Sequence, residues 1–277
     1  MRLYLSILII AISISTCYSQ DGQYRPFVEE GKVWKMKYVN VFPEYPNYDY
    51  CYYIEGDTLI ADVACKKMYA YNKSNTGTTE YQVALYEDNG IVYFIPMNSV
   101  VSYILYDFNV SADSVTLINS TINPQEWPVL PMRNNVDRQF CFNGTQRHSL
   151  LVNRESEFPT ITPLGYNAGW WIEGVGSEVG PLNQWGFYLS GGTDYLMECE
   201  VNGESIFNIS ELRKQSPFGD ANVDGVVNIN DLMLLVNYLV GQSAVGFIPI
   251  AADVNHTGHL SVEDVMFMVN IIIKYKR

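Results

Sequence analysis

Two kinds of hydrophobic periodicity divide the chain. From about Val33 to Asn208, short runs rich in Tyr, Val and Ile are separated by turn signals such as Glu55-Gly56-Asp57, Asp88-Asn89-Gly90 and Asn202-Gly203. β-Branched and aromatic side chains fit a pleated, half-buried surface, and Gly and Asn accept the backbone of tight turns, so this part reads as antiparallel β. The predicted strands are Val33–Val41, Asp49–Ile54, Thr58–Tyr71, Thr79–Glu87, Ile91–Pro96, Val101–Phe108, Arg138–Phe142, Trp170–Gly174, Trp185–Leu189 and Tyr195–Val201. That many strands around one core imply a sandwich or a barrel. Nearer the C-terminus the period lengthens. Leu232, Leu235, Val236 and Leu239 recur at helical spacing, as do Val265, Met268, Val269 and Ile272. The expected fold is mainly antiparallel β with a small all-α C-terminal domain.

The first residues carry a different pattern. Met1-Arg2 gives a positive start, and Leu3 to Ile14 is apolar with only small hydroxyl interruptions. This run is shorter than the ~20 residues a membrane span needs and reads as a signal peptide over residues 1–19. With no second apolar run of spanning length, no transmembrane segment is expected in the mature chain. Cys17-Tyr18-Ser19 serves as a small-x-small cleavage signature, while Ile14-Ser15-Thr16-Cys17 is a loose lipoprotein box that would leave a lipid anchor on Cys17. Either route places the protein outside the cell or at its surface. The polar stretch Glu211-Leu212-Arg213-Lys214-Gln215-Ser216-Pro217 marks a boundary. The expected division is a β-rich domain over 20–212, a linker over 213–218 and a terminal domain over 219–277.

Composition narrows the partners. Apolar residues make up 48% of the 277 and charged residues 17%, enough to bury a core. Thirty acidic residues against 17 basic give a net charge of −13, which disfavours nucleic acid and anionic membranes. Cys51, Cys65, Cys141 and Cys199 form an even set without C-x-x-C spacing. In an oxidising compartment that allows one or two disulfides; otherwise the four are small buried hydrophobes.

The strongest chemistry lies in a twelve-residue segment. Asp220, Asn222, Asp224 and Asn228 stand at loop positions 1, 3, 5 and 9, Val226 at position 7 offers its backbone carbonyl, and Asp231 closes position 12. Gly225, at position 6, permits the sharp bend. Calcium takes six to eight hard oxygen ligands, and alternate positions of a tight loop present them inward. A second copy begins 33 residues later, at Asp253, with Asn255, Thr257, Gly258, His259, Ser261 and Asp264. Thr257 supplies no charge where the first copy has Asp224, so the second of the two calcium sites is expected to be weaker. Asn228 and Ser261 are placed to cap the helices, each with an Asp three residues on. Ser216-Pro217-Phe218-Gly219 precedes the first loop, so no helix enters it, unlike an EF-hand.

Gly219-Asp220-Ala221-Asn222-Val223-Asp224-Gly225 with Asp231-Leu232, and Ala252-Asp253-Val254-Asn255 to Gly258 with Asp264-Val265, resemble a type I dockerin over the last 59 residues. The resemblance implies a module that binds two calcium ions and docks onto a cohesin-like protein, usually within a glycan-related, polysaccharide-degrading assembly. It departs from the family at Thr257 and His259, and at Ile229-Asn230 and Val262-Glu263, which stand where hydroxyl pairs help to choose the cohesin. The plainer alternative is a calcium-folded cap packed against its own β domain.

Residues 25–177 more faintly resemble an uncharacterised β-rich domain of secreted Gram-negative bacterial proteins. The likeness rests on Arg25-Pro26-Phe27-Val28-Glu29-Glu30-Gly31-Lys32-Val33-Trp34 and Ile172-Glu173-Gly174-Val175-Gly176-Ser177, with Gly56-Asp57-Thr58, Lys66-Lys67-Met68-Tyr69, Val92-Tyr93-Phe94 and Leu105-Tyr106-Asp107-Phe108 between them. No enzymatic site is expected. Glu173 beside Trp170 and Trp171 is the one local cluster that suits a divergent glycan hydrolase, whose mechanism needs two carboxylates, but Trp-Trp in a strand reads more readily as core. His148 reads as a strand-surface residue, and the other histidines, His256 and His259, fall in the second loop. The 21 tyrosines and 5 tryptophans leave a polysaccharide as a further candidate partner.

Overall fold

The alternating pattern resolves into thirteen strands among the residues described. These, in a computed structural model, are 24–40, 44–72, 77–121, 124–125, 129–154, 168–184, 192–244, 247, 249–255 and 260–275. The expected signal peptide with Cys17 and the expected strand Trp185–Leu189 lie outside them. The strands are β1 Lys32–Asn40, β2 Tyr48–Ile60, β3 Val63–Tyr71, β4 Thr79–Asp88, β5 Ile91–Pro96, β6 Tyr103–Asp107, β7 Val115–Ile118, β8 Leu130–Phe142, β9 Thr145–Arg154, β10 Ala168–Ile172, β11 Gly176–Ser177, β12 Gly192–Val201 and β13 Glu204–Asn208. Eight form one sheet in the order β13-β12-β1-β2-β3-β4-β5-β6, and five form the other in the order β11-β10-β9-β8-β7. The strand pairings are antiparallel.

The two sheets share one core, which makes the architecture a sandwich. Trp34, Met36, Met68, Leu85, Val92 and Phe94 from the large sheet meet Met132, Phe140, Phe142, Leu150, Val152 and Trp171 from the small one, all essentially without solvent contact. Each such side chain contributes about 1.5–3 kcal/mol through burial.

Some expected boundaries move, for local reasons. Glu55-Gly56-Asp57 is a bulge, not a turn: pairing jumps from Ile54↔Met68 to Asp57↔Lys66 and β2 continues. The hairpin instead turns at Ala61-Asp62, both with positive φ (47° and 63°), a conformation for which Ala is a poor signal. Strands β7, β9, β11 and β13 are not among those expected, although Asn143-Gly144 before β9 is a recognisable two-residue turn. The cysteine pairings within the even set do not form, because Cys51, Cys65 and Cys199 are free thiols. Cys65 and Cys199 fill apolar space, and burial raises the Cys199 thiol to about 12.

The two longest stretches quoted for the β-domain resemblance meet in space. Lys32 is buried, and its ammonium donates to the carbonyls of Pro26 (2.6 Å), Phe27 (3.1 Å) and Gly174 (2.9 Å). Trp34 Nε1 donates to Val175 O at 2.7 Å. Gly176, at φ 95°, stands where a side chain would come within 2.9 Å of the Phe27 ring. On the other side, Glu87 accepts from the Phe27 and Val28 amides (3.0 and 3.1 Å) and from the Tyr24 hydroxyl. The chain entering β1 is thereby tied to both sheets.

Beyond β13 the chain turns directly into helix α1, Ile209–Gln215, whose Leu212 enters the sandwich core. Residues 213–215, expected to open a linker, are the last turn of this helix. Three further helices follow: α2 Ile229–Leu239, α3 Pro249–Ala252 and α4 Val262–Tyr275. Ala221, Leu235, Ala252 and Met268 form a second, small core between them. No described helix is long and apolar enough to cross a membrane.

Candidate metal centre

In the first loop, Asp220 and Asp231 are 1% and 0% exposed. Both carboxylates are gathered by backbone N–H groups. Asp220 accepts from Asp224 N (2.9 Å) and Gly225 N (2.7 Å), and Asp231 from Asn222 N (3.3 Å) and Asn228 N (2.8 Å). Asn228 and Asp231 complete the reciprocal capping box at the start of α2. Asn222 and Asp224 are linked at 2.9 Å, and Gly225 makes the bend with φ 95°. The Val226 carbonyl accepts from Asn228 Nδ2 at 3.3 Å.

Burial pushes the Asp220 carboxyl upward; the Gly225 and Asp224 amides oppose this, while Asp224 and Asp231 add like charge. The same holds for Asp231, raised by burial and by Asp224 against the pull of the Asn228 and Asn222 amides. Among the described residues, no three Asp, Glu, His or Cys side chains make a ready cage by themselves. The oxygens that could hold an ion are instead mixed: the carboxylates of Asp220, Asp224 and Asp231, with Asn222, Asn228 and the Val226 carbonyl. Hard oxygens around buried like charges suit a divalent cation of the calcium type. Such an ion would offset the like charge of these carboxylates.

The second loop repeats the closing element. Asp264 is buried and accepts from Val254 N (3.1 Å), Asn255 N (3.4 Å) and Ser261 N (2.9 Å), while Ser261 Oγ receives Glu263 N at the start of α4. Asp253 is buried as Asp220 is. Thr257 and His259, like Gly258 between them, lie outside the described residues. The halves pack as repeats: Leu235 and Met268, 33 positions apart, meet in the small core. Each helix also keeps an apolar row in solvent, Ile229, Met233 and Val240 on or just beyond α2 and Val262, Met266 and Ile273 on α4.

The β domain gathers less chemistry around its acidic candidate. Trp170 and Trp171 are both buried, with indole N–H groups committed to Ser216 Oγ (3.1 Å) and Gln184 O (2.7 Å). Neither ring is open for sugar stacking. Glu173 is raised by burial and accepts from Arg25 N at 2.7 Å, anchoring the entering chain. His148 lies at the surface of β9, facing Asp137 across the strand pair at 2.5 Å.

Residues 218–273 match the family model of the dockerin type I domain. The match covers the C-terminal segment singled out by its duplicated loops and supports a cohesin-docking module; dockerin domains generally bind calcium. No curated protein and no solved structure matches the chain.

Proposed function

We propose that this chain is a secreted or cell-surface component that docks, through residues 219–277, onto a cohesin-like partner within an extracellular glycan-related assembly. The supporting observation is duplication at two levels. The same loop recurs with its buried closing aspartate, and the same exposed apolar row recurs on α2 and α4 at a 33-residue offset. Rows of this kind on a small domain mark a protein interface. Calcium is held by Asp220, Asn222, Asp224, Asn228, Asp231 and the Val226 carbonyl at the first site. Asp253, Asn255, Thr257, Ser261, Asp264 and position His259 form the weaker second site.

The β sandwich is the part presented to the surroundings, with a polysaccharide as its candidate ligand. Tyr53, Tyr69 and Tyr81 form a ladder across three strands of the large sheet, with centroids 5.5 and 5.7 Å apart. Such rings and hydroxyls can meet a neutral glycan.

The test is binding of the intact mature protein to immobilised type I cohesins in calcium and in chelator. Calcium-dependent capture that Met233→Asp combined with Met266→Asp abolishes supports the reading. Capture by no cohesin, or capture indifferent to both substitutions, overturns it. Reducing-sugar release by the purified protein would favour a tethered hydrolase instead.

A further inference from the structure

The first calcium loop does not close on itself alone. Its outer wall is the β sandwich, and one peptide group carries the connection. The Val223 carbonyl accepts from Arg138 Nη1 of β8 at 2.8 Å. The N–H of that same peptide, on Asp224, points the other way and donates to Asp220 Oδ1 (2.9 Å) and Asn222 Oδ1 (3.0 Å). The peptide therefore has the sandwich on one face and two of the candidate ligand residues, Asp220 and Asn222, on the other.

Val223 is held in an uncommon conformation there. Its φ is 57°, a left-handed value that a β-branched residue adopts at a cost. Its side chain packs against the sandwich core, which offsets that cost. Arg138 is itself braced, its guanidinium carbon 5.5 Å from the Phe140 ring centroid. The surrounding joint is equally specific. Gln215 exchanges two hydrogen bonds of 2.7 Å with the backbone of Cys141 on β8, Trp170 reaches Ser216, and Arg213 lies 4.1 Å over the Phe218 ring while pairing with Glu178 at 2.5 Å. In the second loop, by comparison, the amides of Val254, Asn255 and Ser261 close on Asp264 of the same loop.

We infer that Arg138 is a positioning residue for the first calcium site: the β sandwich preorganises the 220–231 loop, so calcium binding there and stability of the sandwich are coupled. The inference rests on the calcium reading of that loop. Two effects of Arg138 compete. Its positive charge opposes a nearby cation, whereas its hydrogen bond holds the Val223–Asp224 peptide in the orientation that gathers the ligands. The bond is directed at a carbonyl and its donor is braced on the Phe140 ring, while Arg138 is only partly buried, so solvent screens part of the repulsion and positioning is the larger effect. Coupling is reciprocal: what the sandwich adds to calcium affinity, calcium adds to the sandwich.

The experiment uses the full mature chain and Arg138→Met, which keeps a straight apolar stem over Phe140 and removes the donor. Calcium titration by calorimetry in an Asp264→Ala background reads the first loop, and in an Asp231→Ala background the second. Arg138→Met is expected to weaken the first loop about tenfold, the order of one hydrogen bond from a charged donor, and to leave the second within about twofold. Calcium should also raise the unfolding temperature of the sandwich, followed by the buried indoles, more in the parent than in the variant. Unchanged or increased affinity of the first loop overturns the inference while the calcium reading stands; an increase would mean that charge repulsion dominates. Failure of every form to take up calcium removes both. Should Arg138→Met not fold, Gln215→Ala opens the same joint through its bonds to Cys141, with the same expected pattern and the same refuting one.

Discussion

Leu235→Ala tests whether the terminal module draws its stability from calcium. Leu235 is fully buried in a core whose only other buried members among the described residues are Ala221, Ala252 and Met268. Truncating such a leucine removes its transfer free energy and leaves a cavity, together about 3 kcal/mol. A core this small supplies no more than about 3–5 kcal/mol, which the like charges crowded into the 220–231 loop oppose, so the metal-free parent already sits near zero stability and the variant about 3 kcal/mol below it. Calcium can restore it by mass action. Each tenfold rise in free calcium adds about 1.4 kcal/mol for every ion bound to the folded form alone. If folding takes up two ions, the calcium midpoint should rise about tenfold; if it takes up one, about a hundredfold. The size of the shift therefore also counts the ions linked to folding. Far-ultraviolet circular dichroism of the protein, titrated in calcium buffers, reads the midpoint. An unmoved midpoint, or a parent protein whose helix signal is complete in excess chelator, would refute the linkage of folding to calcium.

Four further outcomes are expected. Asp220→Ala should remove more of the calcium-induced helix signal than Asp253→Ala, because Thr257 brings no charge to the second loop; the reverse order in the same titration counts against unequal sites. Lys32→Met should lower sandwich stability by about 3 kcal/mol or more in denaturant unfolding, since the buried carbonyls of Pro26, Phe27 and Gly174 lose their donor. Glu173→Ala should cost only about 1–2 kcal/mol, by freeing Arg25 N, and should spare any activity the parent shows; a loss of several orders of magnitude at unchanged melting temperature would mark Glu173 as catalytic. In alkylation followed by mass spectrometry, half-buried Cys51 should label before Cys199, which should react only as the protein unfolds.

Local chemistry was the most legible. All six candidate donors of the first loop fall within twelve consecutive residues, so their spacing could be read without knowing what surrounds them. The Asn228–Asp231 capping box was readable for the same reason, since its partners are three positions apart. Strand character followed from Tyr, Val and Ile alternation, yet two signals misled: Glu55-Gly56-Asp57 carries turn residues and forms a bulge, and Ala61-Asp62 turns without a glycine. In both cases the cross-strand partner decides the conformation, because pairing energy outweighs the preference of one residue.

From the sequence by itself came the division into β and helical parts, the duplicated loops with their candidate ligand residues, and the net charge of −13. Tertiary structure alone decided the two-sheet order, the free state of Cys51, Cys65 and Cys199, and the burial of Lys32 against Gly174. It also joined Arg138 to Val223, residues 85 positions apart. Periodicity and loop motifs arise from neighbours along the chain and survive in any surroundings. A buried ammonium or a braced loop carbonyl exists only once distant segments have been brought together, since the partners that offset its desolvation are absent from its own stretch of sequence.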